Sequence, residues 1–245
     1  YYNELYRKGA ASDGGPRSQY TAENVAIVGG GLVGSGWAIV FARAGEDVRI
    51  YDAESAIRDN VLDVIRGQLE DLRNNGLIHD IFAVLNRIEV CSTLQYAIGG
   101  ATYVQESVFE QTEVKTEICA ALSPLLDDDM VVGSSTSGIP ASAFTEDLPN
   151  RDQFLVAHPV NPPYLAPIVE VVPTPWTDDA AVKKTMALMK KVGQSPVLVR
   201  REIEGFLLNR LQGALLREAW ALFEEGYASV EDIDKTVAAA AEGVK

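Results

Sequence analysis

The chain has 245 residues, of which 47% are hydrophobic and 23% are charged, and its formal net charge at pH 7 is -14. These proportions are those of a globular protein with room for one α/β domain and part of a second. The acidic balance, without any basic stripe, disfavours nucleic acid and anionic membrane surfaces as partners.

Cysteine content and hydropathy narrow the class of protein further. Cys91 and Cys119 lack the spacing of metal ligands, so we expect two reduced thiols and no metal site. No segment has the ~18 uninterrupted apolar residues of a membrane helix, and the first residues lack the features of a secretory signal. We therefore expect a cytoplasmic protein whose residues 1–22, which show neither hydrophobic period, form a loosely ordered lead segment.

A strand, a glycine turn and a helix are predicted at the start of the fold. A short apolar strand over residues 25–28 runs directly into a glycine-rich turn, after which apolar residues continue at helical spacing. The first glycine permits a tight turn, the second lets the backbone approach a pyrophosphate, and the third lets helix and strand pack closely. The helix N-terminus then faces the phosphates. The predicted contacts with a dinucleotide are Gly29, Gly31, Leu32, Val33 and Gly34.

An acidic residue follows the second predicted strand. The strand covers residues 47–51 and ends at Asp52, close to the ~20-residue offset at which a carboxylate meets the adenosine ribose hydroxyls. The charge would repel the extra phosphate of NADP unless an arginine compensated, so the pattern favours NAD. The alternative is that Asp52 caps a turn at the end of the strand.

Strands alternate with helices through the rest of the first half. This order predicts a doubly wound, mostly parallel α/β sheet of the Rossmann type, with its ligand at the carboxyl ends of the strands. The further predicted elements are a helix over 53–76, strands over 88–90, 101–106 and 130–134, and a helix over 115–122. Four polar residues follow predicted strands and are expected on the ligand-facing edge: Glu106, Glu110, Lys115 and Ser137.

One histidine is the candidate for proton transfer. His158 lies between two strand-like runs, whereas His79 lies in a polar turn region typical of a solvated surface residue. Glu170, downstream, interrupts an apolar run on both sides, and a buried carboxylate needs a partner. The pair could form a general base held in one tautomer, although Glu170 could also be a solvent-facing residue of an alternating strand.

Five motifs together resemble the L-3-hydroxyacyl-CoA dehydrogenase superfamily over roughly residues 24–226. They are GGGLVG at 29–34, VQESVFE at 104–110, SSTS at 134–137, HPVNPP at 158–163 and GFLLNR at 205–210. Within this family, the HPVNPPY segment, VLV at 197–199 and EAW at 218–220 are most similar to the lambda-crystallin branch, whose members act as L-gulonate 3-dehydrogenases.

The resemblance implies a role for each matching residue. It implies that His158 is the base and that Glu170 orients it. It implies that Ser137 and Asn209 contact the substrate oxygen, and that Glu110, Lys115 and Ser137 lie beside the ribose and nicotinamide of NAD. Backbone capping within a helix remains the alternative for Asn209, and a hydroxyl-rich turn the alternative for Ser137.

A boundary is expected near residue 200. We expect an NAD-binding Rossmann domain over 23–200 and, over 201–245, the start of a truncated all-helical C-terminal domain. The predicted helices there cover 206–223 and a segment opened by a capping box of Ser229 and Asp232. The resemblance implies that this domain closes over the substrate and forms a homodimer interface.

The distribution of basic residues bears on the substrate. No lysine occurs between Lys8 and Lys115, and the arginines at 58, 66 and 73 are interleaved with acids, which is typical of a solvated helix face. A small hydroxy acid such as L-gulonate is therefore favoured over a polyanionic 3-hydroxyacyl-CoA, which is the alternative. A second alternative is a non-catalytic NAD-binding protein of the crystallin kind.

Overall fold

The structure, a computed structural model, describes residues 23–243, so the lead segment expected at 1–22 lies outside the described residues. The first half contains β1 (Asn24–Val28), α1 (Leu32–Arg43), β2 (Asp47–Tyr51), α2 (Ser55–Asn74), α3 (Ile81–Leu85), β3 (Ile88–Cys91), α4 (Leu94–Ile98) and β4 (Tyr103–Glu106). The second contains α5 (Thr112–Leu122), β5 (Val131–Ser134), α6 (Ser142–Thr145), β6 (Phe154–Pro159), β7 (Ile168–Pro173), α7 (Asp179–Lys191), β8 (Ser195–Leu198), α8 (Leu208–Glu224) and α9 (Val230–Gly243).

The strands form one sheet with the order β3-β2-β1-β4-β5-β6-β7-β8. Neighbouring strands are parallel except for β6 and β7, which are antiparallel. The strand order reverses direction between β1 and β4, and this point is where a doubly wound sheet binds its ligand. The prediction of a mostly parallel Rossmann-type sheet followed by helices is confirmed.

Helices cover both faces of the sheet, so the central strands are buried on both sides and read as apolar runs. On one face, Trp37 and Phe41 of α1 pack with each other, and Phe41 packs with Tyr103 of β4. On the other face, Val104 and Leu122 belong to a second buried cluster that also contains Phe206. The cluster on this second face therefore joins the sheet to the chain that leads into α8.

The helices of the described chain differ in how many of their apolar side chains are buried. The predicted helix over 53–76 is α2, at Ser55–Asn74, and it buries the apolar stripe expected from its period, including Ile65 and Leu69. In contrast, no residue of α8 is buried within the described part of the chain. No helix within residues 23–243 is both long and apolar enough to span a membrane.

The predicted capping box opens α9. Ser229 Oγ accepts a hydrogen bond from the Asp232 N–H at 3.1 Å and donates to the Asp232 carboxylate at 2.7 Å. The helix begins at Val230, immediately after this serine. The local signal of a hydroxyl followed three residues later by an acid therefore located a helix start that hydrophobic period alone would leave vague.

Candidate active site

The glycine turn has the shape that a pyrophosphate requires. Gly29 has φ +105°, and a Cβ there would lie 2.5 Å from the carbonyl oxygen of Ser107. A Cβ at Gly34 would overlap the carbonyl oxygen of Gly29, so both positions need the missing side chain. Gly31, which caps α1, has open space around it, and Leu32 beside it is exposed. The helix N-terminus is thus reachable by a phosphate, which fits a dinucleotide.

Asp52 lies at the carboxyl end of β2 and bonds to the glycine turn. Its carboxylate accepts hydrogen bonds from the N–H of Gly30 at 2.7 Å and from the N–H of Glu54 at 2.9 Å. Among the described residues, Asp52 therefore makes the contacts that the turn-capping alternative expects. Its place beside the first glycines is also the one that ribose recognition needs. The Arg58 guanidinium lies close by and donates to the Asp52 carbonyl oxygen at 2.5 Å.

His158 and Glu170 face each other across two antiparallel strands. The register of β6 and β7 places the two residues directly opposite one another, and both side chains are buried. His158 Nδ1 lies 2.8 Å from Glu170 Oε2. With an ionised carboxylate as acceptor, Nδ1 carries the proton and Nε2 keeps its lone pair. The arrangement therefore leaves Nε2 as the nitrogen that can take a proton.

The second oxygen of Glu170 bonds to the start of α8. Oε1 accepts hydrogen bonds from the N–H groups of Leu207 at 2.8 Å and Leu208 at 2.9 Å. Burial acts to raise the pKa of Glu170, but the hydrogen bonds from His158 and from these two N–H groups outweigh it and hold the pKa below its ordinary value. The carboxylate thus stays ionised beside the imidazole at neutral pH.

Phe206, which the sequence analysis did not single out, forms one side of the imidazole site. It is fully buried, its ring centroid lies 5.7 Å from that of His158, and its φ is +47°. A left-handed backbone costs a bulky residue about 1–2 kcal/mol, so the surrounding contacts must hold it. Gly205 before it also has a positive φ, and this glycine next to a helix start was the only local signal.

Ser137 and Asn209 are brought together from opposite sides of the cleft. Asn209 Nδ2 donates to the Ser137 carbonyl oxygen at 2.6 Å, a contact between residues 72 positions apart. This bond ties α8 to the loop after β5 and is not a cap within the helix. Ser137 is exposed, and its N–H and Oγ both donate to Glu110 Oε1, at 2.8 and 3.2 Å.

Glu110 organises this loop. Besides Ser137, its Oε1 accepts from Thr136 Oγ1 at 2.7 Å, and Oε2 lies 3.4 Å from Lys115 Nζ. Burial acts to raise the pKa of Glu110, yet the Thr136 hydroxyl, the Lys115 charge and the Ser137 N–H lower it below its ordinary value. Glu110 is therefore an ionised acceptor around which the Ser137 loop is wrapped.

Lys115 and Glu106 form a buried ion pair at the carboxyl end of β4. Both were expected on this edge, and Lys115 Nζ lies 3.0 and 3.1 Å from the Glu106 carboxylate oxygens. Glu106 also accepts from the Val108 N–H and from the Ser134 hydroxyl. Breaking a buried ion pair by removing one partner is strongly destabilising, so this pair holds α5 to the end of β4. Lys115 Nζ also lies 3.4 Å from Glu110 Oε2, which links the pair to the Ser137 loop.

Together, the fold and the site define a class. A doubly wound sheet with a phosphate-accepting glycine turn binds a dinucleotide, and a buried carboxylate that holds one nitrogen of an imidazole prepares the other nitrogen for proton transfer. Both features lie at the carboxyl ends of the strands, where a doubly wound sheet binds its ligand. The class is that of nicotinamide-dependent oxidoreductases acting on an alcohol or a carbonyl.

Family comparison identifies the group within this class. Residues 24–203 match the sequence model described as 3-hydroxyacyl-CoA dehydrogenase, NAD binding domain, and residues 205–242 match that of the C-terminal domain of the same family. The chain belongs to the 3-hydroxyacyl-CoA dehydrogenase family, and its cofactor is NAD.

Individual relatives belong to differently named groups of proteins. Lambda-crystallin of Oryctolagus cuniculus is 44% identical over 216 residues, which are 87% of this chain and 68% of that protein. The L-carnitine dehydrogenase of Streptomyces griseus is 36% identical over 93% of this chain and 68% of its own length. The crystal structure of M. tuberculosis FadB2 superposes with a TM-score of 0.82 at 31% identity, covering 92% of this chain and 80% of that one.

Proposed function

We propose that the protein oxidises the 3-hydroxyl of a small L-3-hydroxy acid, with L-gulonate as the favoured substrate. The observation that carries the proposal is the buried pair of His158 and Glu170, with its Nδ1 to Oε2 distance of 2.8 Å. A carboxylate in that position holds the imidazole in the tautomer whose Nε2 can take the proton of a hydroxyl.

In the proposed reaction, His158 Nε2 removes the hydroxyl proton and returns it in the reverse direction. NAD, when bound, accepts the hydride from the same carbon. Asn209 has one amide hydrogen on the Ser137 carbonyl, so its second hydrogen can donate to the substrate oxygen. The Ser137 N–H holds Glu110 Oε1 at 2.8 Å, so the Ser137 hydroxyl, now 3.2 Å from the same oxygen, can turn to donate to the substrate oxygen as charge develops on it.

The surface of α2 supports a substrate without a nucleotide tail. Arg58 is engaged by the carbonyl oxygens of Asp52 and Ala53, and Arg66 lies 4.0 Å from the Asp63 carboxylate. These contacts leave the helix with balanced charges and not with a phosphate-binding cluster. The lambda-crystallin relatives at about 44% identity favour the same substrate branch.

The test is a substrate comparison on the wild-type protein. NADH formation is followed by absorbance with L-gulonate, a short 3-hydroxyacyl-CoA or L-carnitine as substrate, with NAD binding measured separately. The proposal expects the highest kcat/KM with L-gulonate. A higher kcat/KM with the acyl-CoA or with L-carnitine would show that this compound, and not L-gulonate, is the better substrate. NAD binding without turnover of any of the three would favour a non-catalytic binding protein.

We also propose that the protein forms a homodimer through α8. One side of the helix presents large apolar side chains to solvent, and these include Leu216, Trp220 and Phe223, at 68%, 65% and 45%. A contiguous exposed apolar surface of this kind favours association with another protein surface. Closed two-fold assembly is the commonest solution for such a face.

A further inference from the structure

A buried polar network lies beneath the cleft, on the α1 face of the sheet. It begins at Tyr103, whose hydroxyl lies 3.0 Å from Gln105 Oε1, and both side chains are fully buried. Gln105 Nε2 then contacts Ser135 Oγ at 2.7 Å and the carbonyl oxygen of Ala157 at 3.2 Å. The network therefore connects β4 with the loop after β5 and with the residue before His158.

The Ala157 carbonyl and the Tyr103 hydroxyl determine which atom donates in each hydrogen bond of this network. The Ala157 carbonyl can only accept, so the atom of Gln105 that faces it must be the NH₂ group, and the amide oxygen must face Tyr103. Burial raises the pKa of Tyr103 above its ordinary range, so the phenol keeps the proton that it donates. The two hydrogens of Nε2 are then used by Ala157 and Ser135.

The hydroxyl of Ser135 accepts two hydrogen bonds and donates one. Its Oγ accepts from Gln105 Nε2 and also from Trp37 Nε1, an indole N–H that can only donate, at 3.1 Å. These two donors occupy both acceptor positions of the hydroxyl. The remaining contact of Ser135 Oγ, at 2.8 Å to Ser107 Oγ, must therefore be the one in which Ser135 donates.

Ser107 is the end of the chain of donors. It accepts the Ser135 proton, and its own hydroxyl proton has no acceptor among the hydrogen bonds formed by the described residues. A hydroxyl that already accepts a hydrogen bond from a polarised chain is a stronger donor. Ser107 is partly exposed, so this proton is available to a ligand.

The place of Ser107 in the sheet indicates which ligand. Its N–H bonds to the Val28 carbonyl at 2.7 Å, and its carbonyl is the group that excludes a Cβ at Gly29. Ser107 thus lies at the reversal point between β1 and β4, beside the glycine turn. Asp52, at the end of β2, marks the adenosine side, so Ser107 is on the side of β4 and β5, where the nicotinamide half of a dinucleotide lies.

We infer that the Ser107 hydroxyl donates a hydrogen bond to an acceptor oxygen on the nicotinamide half of NAD, and that the Tyr103–Gln105–Ser135 network, with Trp37, fixes its direction. The inference rests on NAD binding by the family and not on which hydroxy acid is oxidised. Nothing in the glycine motif or in the His158 site assigns this position a role.

The experiment compares three ligands on three proteins without any substrate. Wild type, Ser107→Ala and Ser107→Thr are titrated by calorimetry with NAD, with ADP-ribose, which lacks the nicotinamide, and with AMP, which fills only the adenosine side. Loss of one neutral hydrogen bond should weaken NAD binding to Ser107→Ala about three- to tenfold. AMP binding should stay within about twofold of wild type, and Ser107→Thr should restore NAD binding.

The ligand pattern separates the outcomes. Equal weakening of NAD and ADP-ribose places the acceptor on the ribose or phosphate, and weakening of NAD alone places it on the carboxamide. Unchanged NAD binding, or equal losses for NAD and AMP with a lower unfolding temperature of the free protein, would overturn the inference and leave Ser107 a structural residue. Because no hydroxy acid is used, a failure of L-gulonate oxidation does not affect this test.

Discussion

At the scale of single residues, the proposed proton transfer and the binding of NAD depend on different residues. His158 bonds to Glu170 through Nδ1, which leaves Nε2 for the proposed proton transfer. The contacts of the glycine turn are on other residues, chiefly Gly29, Gly31 and Gly34. Proton transfer and cofactor binding can therefore be separated by substitution.

We predict that His158→Ala lowers turnover by about 10²–10⁴-fold, because proton transfer by a positioned base contributes that much. The NAD dissociation constant should stay within a few fold of wild type. His158→Asn is the matched control, since its Nδ2 amide lies where Nδ1 does and can still donate to Glu170 while lacking a basic nitrogen. Steady-state kinetics and calorimetry measure both quantities, and a large loss of NAD affinity in either variant would show that His158 has been assigned the wrong role.

We predict that Asp52→Ala weakens NAD binding by about 1–3 kcal/mol, in the range of a charge-assisted hydrogen bond. The same change should reduce discrimination against NADP, because the carboxylate is removed while the Arg58 guanidinium remains beside the site. Titration of both cofactors measures the effect. An unchanged NAD dissociation constant would leave Asp52 with its turn-capping contacts to Gly30 and Glu54 alone.

At the scale of secondary-structure elements, α1 approaches the loop after His158 at Gly36. A Cβ on Gly36 would lie 2.8 Å from Cδ of Pro163, closer than carbon atoms normally approach. The helix that begins at the cofactor turn is therefore packed directly against the segment that follows the base. Besides placing its N-terminus at the glycine turn, α1 therefore also supports the loop after His158.

We predict that Gly36→Ala lowers kcat more than it weakens NAD binding, since the added methyl displaces the loop after His158. Gly67→Ala, within α2, is the matched control, because nothing lies within 4 Å of a Cβ there. That control should stabilise the fold by up to about 1 kcal/mol through helix propensity. Denaturant unfolding and kinetics compare the two variants. Equal activity in both would mean that the loop gives way without cost.

The elements show how far local patterns reach. The strand, glycine turn and helix at residues 25–43 could be predicted directly, because period and turn chemistry are local. The sequence could suggest the opposition of His158 and Glu170 but could not fix it, since the pairing of β6 with β7 is a register between strands. The burial of Lys115 against Glu106 could not be predicted, because it depends on how α5 packs against β4. Phe206 was missed for the same reason: its contact with His158 is purely tertiary.

At the scale of the whole molecule, 35 acidic residues outnumber 21 basic ones, so its stability should depend on pH. The direction in which Glu170 changes stability with pH follows from the shift of its pKa. Its pKa in the folded protein lies below the ordinary 4.5, so the stabilisation it provides is present above that value and is lost as pH falls through the folded pKa.

We predict that the difference in unfolding free energy between wild type and Glu170→Gln narrows on acidification below 4.5. The narrowing follows because the wild-type carboxylate then takes up a proton and loses its advantage over the amide. Urea unfolding of both proteins at a series of pH values measures the difference. A gap of constant size down to about pH 3 would contradict the assignment.

We predict that Leu216→Glu together with Trp220→Glu converts a homodimer to a monomer, because charges at an apolar contact are costly to bury. Glu218→Gln, on the opposite side of α8, is the control and should leave the assembly intact. Light scattering after gel filtration gives the mass in solution. A monomeric wild type would remove the proposed dimer, and a dimer unaffected by both glutamates would locate its interface elsewhere.

The division of the Glu170 oxygens between His158 and the N–H groups of Leu207 and Leu208 also orders events during synthesis. A ribosome releases the dinucleotide sheet first, and the carboxylate then has only one of its three donors. The carboxylate gains its other two donors only when the chain through residue 208 has emerged. We therefore expect the nascent sheet to lack the complete set of Glu170 contacts until α8 begins to form.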